Sequence, residues 1–262
     1  MRAAFFDLDK TVIAKASIPA FGRPLYRGGL INRRLVARAL VSQIIYLHLG
    51  ASEQKLARVR ESMLMLTKGW DREQIRQIVR EALEDIVEPI IYAEALDLIE
   101  AHRAAGHKVF LVSASPEEIV QPLADHLGVD GAIASRAVVD DDGRYTGEME
   151  FYAYGVFKAE AIEELADKMG LDLEQSSAYS DSYTDLPMLE AVGHPVAINP
   201  DRVLAKVVRE RDWDVMQFSK PVRLRDRVSV PKLPVTATAA GVTAAASVGA
   251  LVAWRLARRP AR

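Results

Sequence analysis

Two aspartates stand two residues apart, Asp7 and Asp9 in the stretch FFDLDKTVIA, where an apolar run ends. A strand's period of two would set both on one face, and like charges that close repel and raise the pKa of at least one carboxyl. The pair is tolerable if a hard cation sits between the carboxylates and a substrate. Mg²⁺, which prefers few carboxylates, several waters and phosphate oxygens, suits that place. The rest of such a site must hold phosphate. LVSASPEE puts Ser113 and Ser115 just ahead of a helix beginning near Pro116, so that hydroxyls and free amides point at an anion. Lys158 opens a later helix, where its ammonium would neutralise a phosphoryl group, and SDSYTDLPML sets Asp181 and Asp185 in the turn between a strand and a helix. Each alone has a plain structural explanation: a strand end for the aspartate pair, a turn hydroxyl for Ser113, an exposed helix lysine for Lys158, an N-cap for Asp185. Together and in this order they converge on one edge.

The elements that must position them are legible in the apolar pattern. Strands AAFFDL, KVFLVSA, SSAYS and PVAI alternate with helical stretches IYAEALDLIEAHRAAG, PEEIVQPLADHLG and FKAEAIEELADKMG, which close on Gly106, Gly128 and Gly170. This alternation predicts an α/β fold with a parallel sheet covered on both faces. AVVDDDGRYTGEMEF reads as a hairpin with Asp142 and Gly143 at its turn. Between the first strand and the second, three segments with apolar residues at three- and four-residue spacing, NRRLVARALVSQIIYLHLG, SEQKLARVRESMLMLTKGW and DREQIRQIVREALEDIV, predict a helical insertion over residues 15 to 87. The core is then residues 1 to 14 and 88 to 218. An insertion right after the first strand sits above the sheet's C-terminal edge, where open α/β sheets bind ligands, and is placed to act as a lid.

The chain of 262 residues is half apolar, enough for a sizeable core, and has no cysteine, which excludes disulfides, thiolate metal sites and cysteine nucleophiles. Met1 to Phe6 is too short an apolar run for a signal peptide, so the catalytic domain is expected in the cytoplasm. Charge is uneven. Residues 12 to 87 carry 13 Lys/Arg against 7 Asp/Glu, and residues 220 to 262 carry 9 against 1, on a chain whose net charge is -2. A cationic insertion and tail on an acidic body point to an anionic partner or surface. No nucleic-acid partner is expected.

Residues 219 to 262 form a basic linker and a tail of another kind. Val235 to Trp254 is twenty residues without a charge, followed by RLARRPAR. As a helix it would rise about 30 Å, the thickness of a bilayer's hydrocarbon core. Ala237, Gly241, Ala245, Gly249 and Ala253 recur every fourth residue, a small-residue stripe suited to self-association in lipid. The expectation is a C-terminal hydrophobic helix that spans or lies on the inner face of the cell membrane.

DLDKT, the serine of LVSAS, Lys158 and SDSYTDLPML are ordered and spaced like the four motifs of the haloacid dehalogenase (HAD) superfamily, which residues 3 to 218 resemble. With an insertion after the first motif the chain looks like the subfamily that includes phosphoserine phosphatase. LVSASPEE and VAINPDRVL are similar to subfamily IB hydrolases of actinobacteria and proteobacteria, one group of them tied to morphological differentiation. The resemblance implies a Rossmann-like core with a helical C1-type cap, and a Mg²⁺-dependent phosphomonoester hydrolase. It makes Asp7 the nucleophile that forms an aspartyl phosphate and Asp9 the acid and base. Mg²⁺ would lie on Asp7, the Asp9 carbonyl and Asp181, with Asp185 behind them. Ser113 and Lys158 would hold the phosphoryl oxygens, and Thr11 would help orient Asp9. Two departures stand out. Position 10 is Lys where the motif commonly has Gly, and KASIPAFGR has no acid where phosphoserine phosphatases place a cap glutamate for the substrate ammonium. The expected substrate is therefore a small phosphorylated compound other than phosphoserine, with a lipid-linked phosphate as one form of it. A membrane-tethered regulatory protein that senses a phosphorylated ligand, with little turnover, is the alternative.

Overall fold

The computed structural model describes residues 1–31 and 64–222. β1 (Ala3–Asp7) is followed by two short helices, α1 (Ser17–Ala20) and α2 (Gly22–Arg27), and the chain returns through α3 (Arg72–Ile86). Then come β2 (Ile91–Tyr92), α4 (Ala93–Ala104), β3 (Lys108–Pro116), α5 (Glu117–Leu127), β4 (Gly131–Val139) and β5 (Tyr145–Phe151). The last elements are α6 (Val156–Met169), β6 (Ser177–Ser180), α7 (Leu186–Glu190), β7 (His194–Ile198), α8 (Leu204–Arg211), β8 (Asp214–Met216) and β9 (Pro221–Val222).

Seven strands form one sheet in the order β5-β4-β3-β1-β6-β7-β8, parallel throughout except for β5 against β4. β1 lies at the centre, and all five of its residues are buried. Its alternation divides the core. Ala4 and Phe6 join the cluster built with Leu83 of α3, Ile99 of α4 and Leu123 of α5, while Ala3 and Phe5 join Ile162 of α6, Met188 of α7 and Leu204 of α8. Burying each phenylalanine contributes roughly 1.5–3 kcal/mol, so a central strand of this composition is anchored from both faces. The α/β expectation, with a parallel sheet between two helical layers, agrees with what is observed.

Three details differ from the sequence pattern. The hairpin's first strand reaches back to Gly131 and pairs in parallel with β3, so the hairpin forms one edge of the sheet. Ser135 and Arg136 break the apolar run there and conceal its length. Ile91 and Tyr92, expected in a helix, pair instead with Pro221 and Val222, and β8 extends the opposite edge. Elements of two or three residues carry too little periodicity to be seen.

The return from the insertion is docked firmly. Asp71 caps α3 by accepting from the Gln74 amide at 2.9 Å, and the Gly69 and Arg72 amides donate to the Tyr145 and Gly143 carbonyls at the β4–β5 hairpin. Arg72 then pairs with Glu117 and Glu118 at the start of α5 at 2.5 and 2.9 Å. NRRLVARALVSQIIYLHLG, most of SEQKLARVRESMLMLTKGW and the whole expected membrane segment with its small-residue stripe lie outside the described residues. Among the described residues no helix is long and apolar enough to cross a membrane.

Close approach of two backbones marks one position for a test. A Cβ added at Gly193 would lie 1.8 Å from the Glu174 carbonyl oxygen, with no flexible side chain to yield. Gly193→Ala should therefore cost about 1–3 kcal/mol, read as a fall in the urea midpoint at unchanged slope.

Candidate active site

The C-terminal ends of β1, β3 and β6 and the start of α6 meet at one edge of the sheet. β1 delivers Asp7, buried with 6% exposure, beside β3, and their register pairs Asp7 with Val112, one residue before Ser113. Glycine at position 155, with φ 57° and ψ -127°, turns the chain out of the hairpin and into α6, whose third residue is Lys158. That lysine is 2% exposed, and its Nζ lies 2.7 Å from Asp7 Oδ1 and 2.8 Å from Asp185 Oδ1. The second oxygen of Asp185 accepts from Ser180 Oγ at 2.7 Å. Asp185 thus does more than start a helix: it is the far arm of a buried carboxylate–ammonium–carboxylate bridge.

The electrostatics follow from burial. Loss of water pushes the Asp7 carboxyl well above the usual carboxylate range; Lys158 opposes the shift, and Asp185 and Asp181 add to it. Burial also presses Lys158 to shed its proton, but the Asp7 and Asp185 charges outweigh it and hold its pKa above the ordinary lysine value. Asp181, 8% exposed, is pushed up to about 6 by burial, with Lys10 opposing and Asp185 and Asp201 adding. The repulsion inferred between Asp7 and Asp9 has a different source. β1 ends at Asp7, Asp9 lies in the following turn, and the carboxylates that raise Asp7 are those of Asp185 and Asp181.

Asp9 sits in its own environment. Its Oδ1 accepts the Ser17 amide at 2.7 Å, and its Oδ2 accepts Ser115 Oγ at 3.1 Å. The Ser17 and Ser115 hydroxyls also bond to each other at 2.7 Å. Thr11, expected to help orient Asp9, instead keeps a fully buried Oγ1 without a hydrogen-bond partner among the described residues. Ser113 is buried beside this chain, its Oγ accepting from the Ser115 amide at 3.1 Å where the β3–β4 register shifts. Ser17 and Ser180 went unnoticed in the sequence because a lone serine at a helix start or strand end is ordinary.

Three buried carboxyls, Asp7, Asp181 and Asp185, lie at this edge with one buried ammonium, which contacts Asp7 and Asp185, so the edge is short of positive charge. Hard oxygen donors with a deficit of that sign fit a Mg²⁺ ion. Among the described residues no group of three His, Cys, Asp or Glu side chains is arranged to hold a metal.

Residues 4–190 match the family model for haloacid dehalogenase-like hydrolases. The chain is 50% identical over 262 residues to an inhibition of morphological differentiation protein of Streptomyces azureus, covering 99% of this chain and 94% of that one. It is 51% identical over 257 residues to a probable phosphatase of Mycobacterium tuberculosis, covering 98% and 89%. A phosphoserine phosphatase solved as a phospho-aspartyl intermediate analogue shares the fold, with a TM-score of 0.56 at 22% identity over 86% of this chain and 96% of that one.

Lys10 offers a test of local strain. It holds φ 66°, the left-handed region that favours glycine, within the turn whose Val12 and Ile13 amides both donate to the Leu8 carbonyl at 3.0 Å. Lys10→Gly should raise stability by about 0.5–1 kcal/mol in urea unfolding, whereas Lys10→Ala, which keeps the strain, should not.

Proposed function

The chain belongs to the haloacid dehalogenase-like hydrolases and is a phosphatase of that family, and from this premise we propose that it cleaves phosphomonoesters in two steps through Asp7. In the first, an Asp7 carboxylate oxygen attacks phosphorus while the ester oxygen leaves with the proton of the Asp9 carboxyl, giving an aspartyl phosphate and an alcohol. In the second, Asp9 takes a proton from water, whose oxygen attacks the same phosphorus and releases phosphate and free Asp7. The Asp7 carboxylate, the Asp9 carbonyl and Asp181 would hold Mg²⁺, which supplies the charge that lets a carboxylate approach a phosphate dianion. Lys158 and Ser113 would bind the non-bridging oxygens, where transition-state charge collects.

The observation that carries this reading is the separation of the two aspartates. Asp7 is bound to the Lys158 ammonium, which would also face a phosphoryl group arriving on that carboxylate, while Asp9 is held by partners of its own, the Ser17 amide and the Ser115 hydroxyl. The insertion would act as a lid over this edge. Its start, with Lys15, Arg23 and Arg27 and no acid, favours a substrate with further negative charge over one with an ammonium. We also propose that Val235 to Trp254 attaches the protein to the inner face of a membrane, which would suit a lipid-linked phosphate.

With Mg²⁺ and a panel of phosphomonoesters, Asp7→Asn should lose at least about a thousandfold in kcat, and removing Mg²⁺ with a chelator should abolish turnover of the unaltered protein. Activity unchanged by the substitution would sink the mechanism. The name of the Streptomyces relative favours a second reading, a tethered sensor of a phosphorylated ligand with little turnover; full cellular function of Asp7→Asn would select it. Deleting residues 233 to 262 should move the protein from the membrane pellet to the supernatant on fractionation, and an unchanged distribution would end the anchor proposal.

A further inference from the structure

Asp181 stands at the end of β6 in a turn whose shape is set from two sides. On one side Ser180 Oγ accepts the Ser182 amide at 3.2 Å while donating to Asp185. On the other side every bond comes from a single residue beyond β7. The Asp201 amide donates to the Asp181 carbonyl at 2.7 Å, and its Oδ2 accepts the Tyr183 amide at 2.8 Å and Ser182 Oγ at 3.3 Å.

The same side chain has a second task. Asp201 Oδ1 accepts the Val203 and Leu204 amides at 2.9 and 2.8 Å, and its carbonyl accepts the Ala205 amide at 2.9 Å, which makes it the working N-cap of α8. One carboxylate oxygen therefore serves the helix and the other serves the Asp181 turn. A neutral cap would suffice for α8. A carboxylate with both oxygens engaged on different segments is what a bridge between β6 and β7 requires.

We propose that Asp201 is a positioning residue for Asp181: by holding the backbone on either side of Ser182 it fixes the direction in which the Asp181 carboxylate leaves the sheet edge. The inference rests on the phosphatase reading above, in which Asp181 holds the cation. In this proposal the effect of Asp201 passes through the turn.

Two substitutions separate this role from capping. Asp201→Ser keeps a hydroxyl that caps α8 but is too short to reach Tyr183. Tyr183→Pro leaves Asp201 and its cap intact and removes only the amide hydrogen and an exposed ring. Tyr183 opens a short 3₁₀ turn, where proline is tolerated, and Ser182 at φ -116°, ψ 140° already has the conformation that a residue before proline adopts. Both variants of the full chain should bind Mg²⁺ about tenfold more weakly by calorimetry, with melting temperatures within a few degrees of the parent and kcat recovering at saturating Mg²⁺. Parental Mg²⁺ affinity in Tyr183→Pro overturns the inference, whatever happens to Asp201→Ser. A parent protein that hydrolyses phosphomonoesters while Tyr183→Pro binds Mg²⁺ equally well removes this proposal alone. A parent that binds no Mg²⁺ removes the phosphatase mechanism with it.

Discussion

Lys158 places one ammonium within 2.8 Å of two carboxylates where almost no water reaches, and much of the catalytic edge depends on that contact. Removing two acids and a base from water costs several kcal/mol per charge, which their attraction offsets only if the geometry is held. It is held from three directions: by β1, whose burial on both faces fixes Asp7; by the turn at Gly155, which aims the first turn of α6; and by Ser180, which occupies the free oxygen of Asp185. The arrangement is also suited to reaction. In the mechanism proposed above, an ammonium that already faces a carboxylate oxygen would face the oxygens of a phosphoryl group arriving on that carboxylate.

Asp9, the proposed acid–base partner, is governed by a different constraint. It is only two residues from Asp7, yet it is held by Ser17 at the start of the insertion and by Ser115 at the end of β3. The first residue of α1 is therefore part of the immediate surroundings of Asp9. The other end of the insertion is tied down through Asp71, Arg72 and the hairpin, so both ends meet the core through specific polar contacts.

Much of this was legible from residue types and spacing. The central strand, the alternation of strands with helices and the convergence of Asp7, Ser113, Lys158, Asp181 and Asp185 all rest on patterns that local physics enforces: apolar runs for buried parallel strands, and polar residues where those runs stop. What was not legible depends on contacts between distant segments. Nothing near Thr11 says that its hydroxyl is left unpartnered, and nothing near Ser17 says that its amide lands on Asp9. The premise of Asp7 repelling Asp9 assumed a strand that continued through both, whereas the chain turns at Leu8 and the two carboxyls take different partners. β8 and the β2–β9 pair were invisible for lack of length.

The site's construction also bears on when it can exist during folding. Asp7, Ser113, Lys158 and Asp181 come from four segments, and the Lys158–Asp7 contact spans 151 residues. Contacts of that separation are costly in loop entropy until the intervening sheet has formed. A partly folded chain would carry unpaired acids at that edge, where they repel, and would gain nothing from bringing them together before Lys158 arrives. The buried bridge thus needs β1, α6 and the turn after β6 in place together. The geometry of the candidate site and completion of the sheet are coupled here, because the same ammonium proposed to bind phosphate also relieves the repulsion between Asp7 and Asp185.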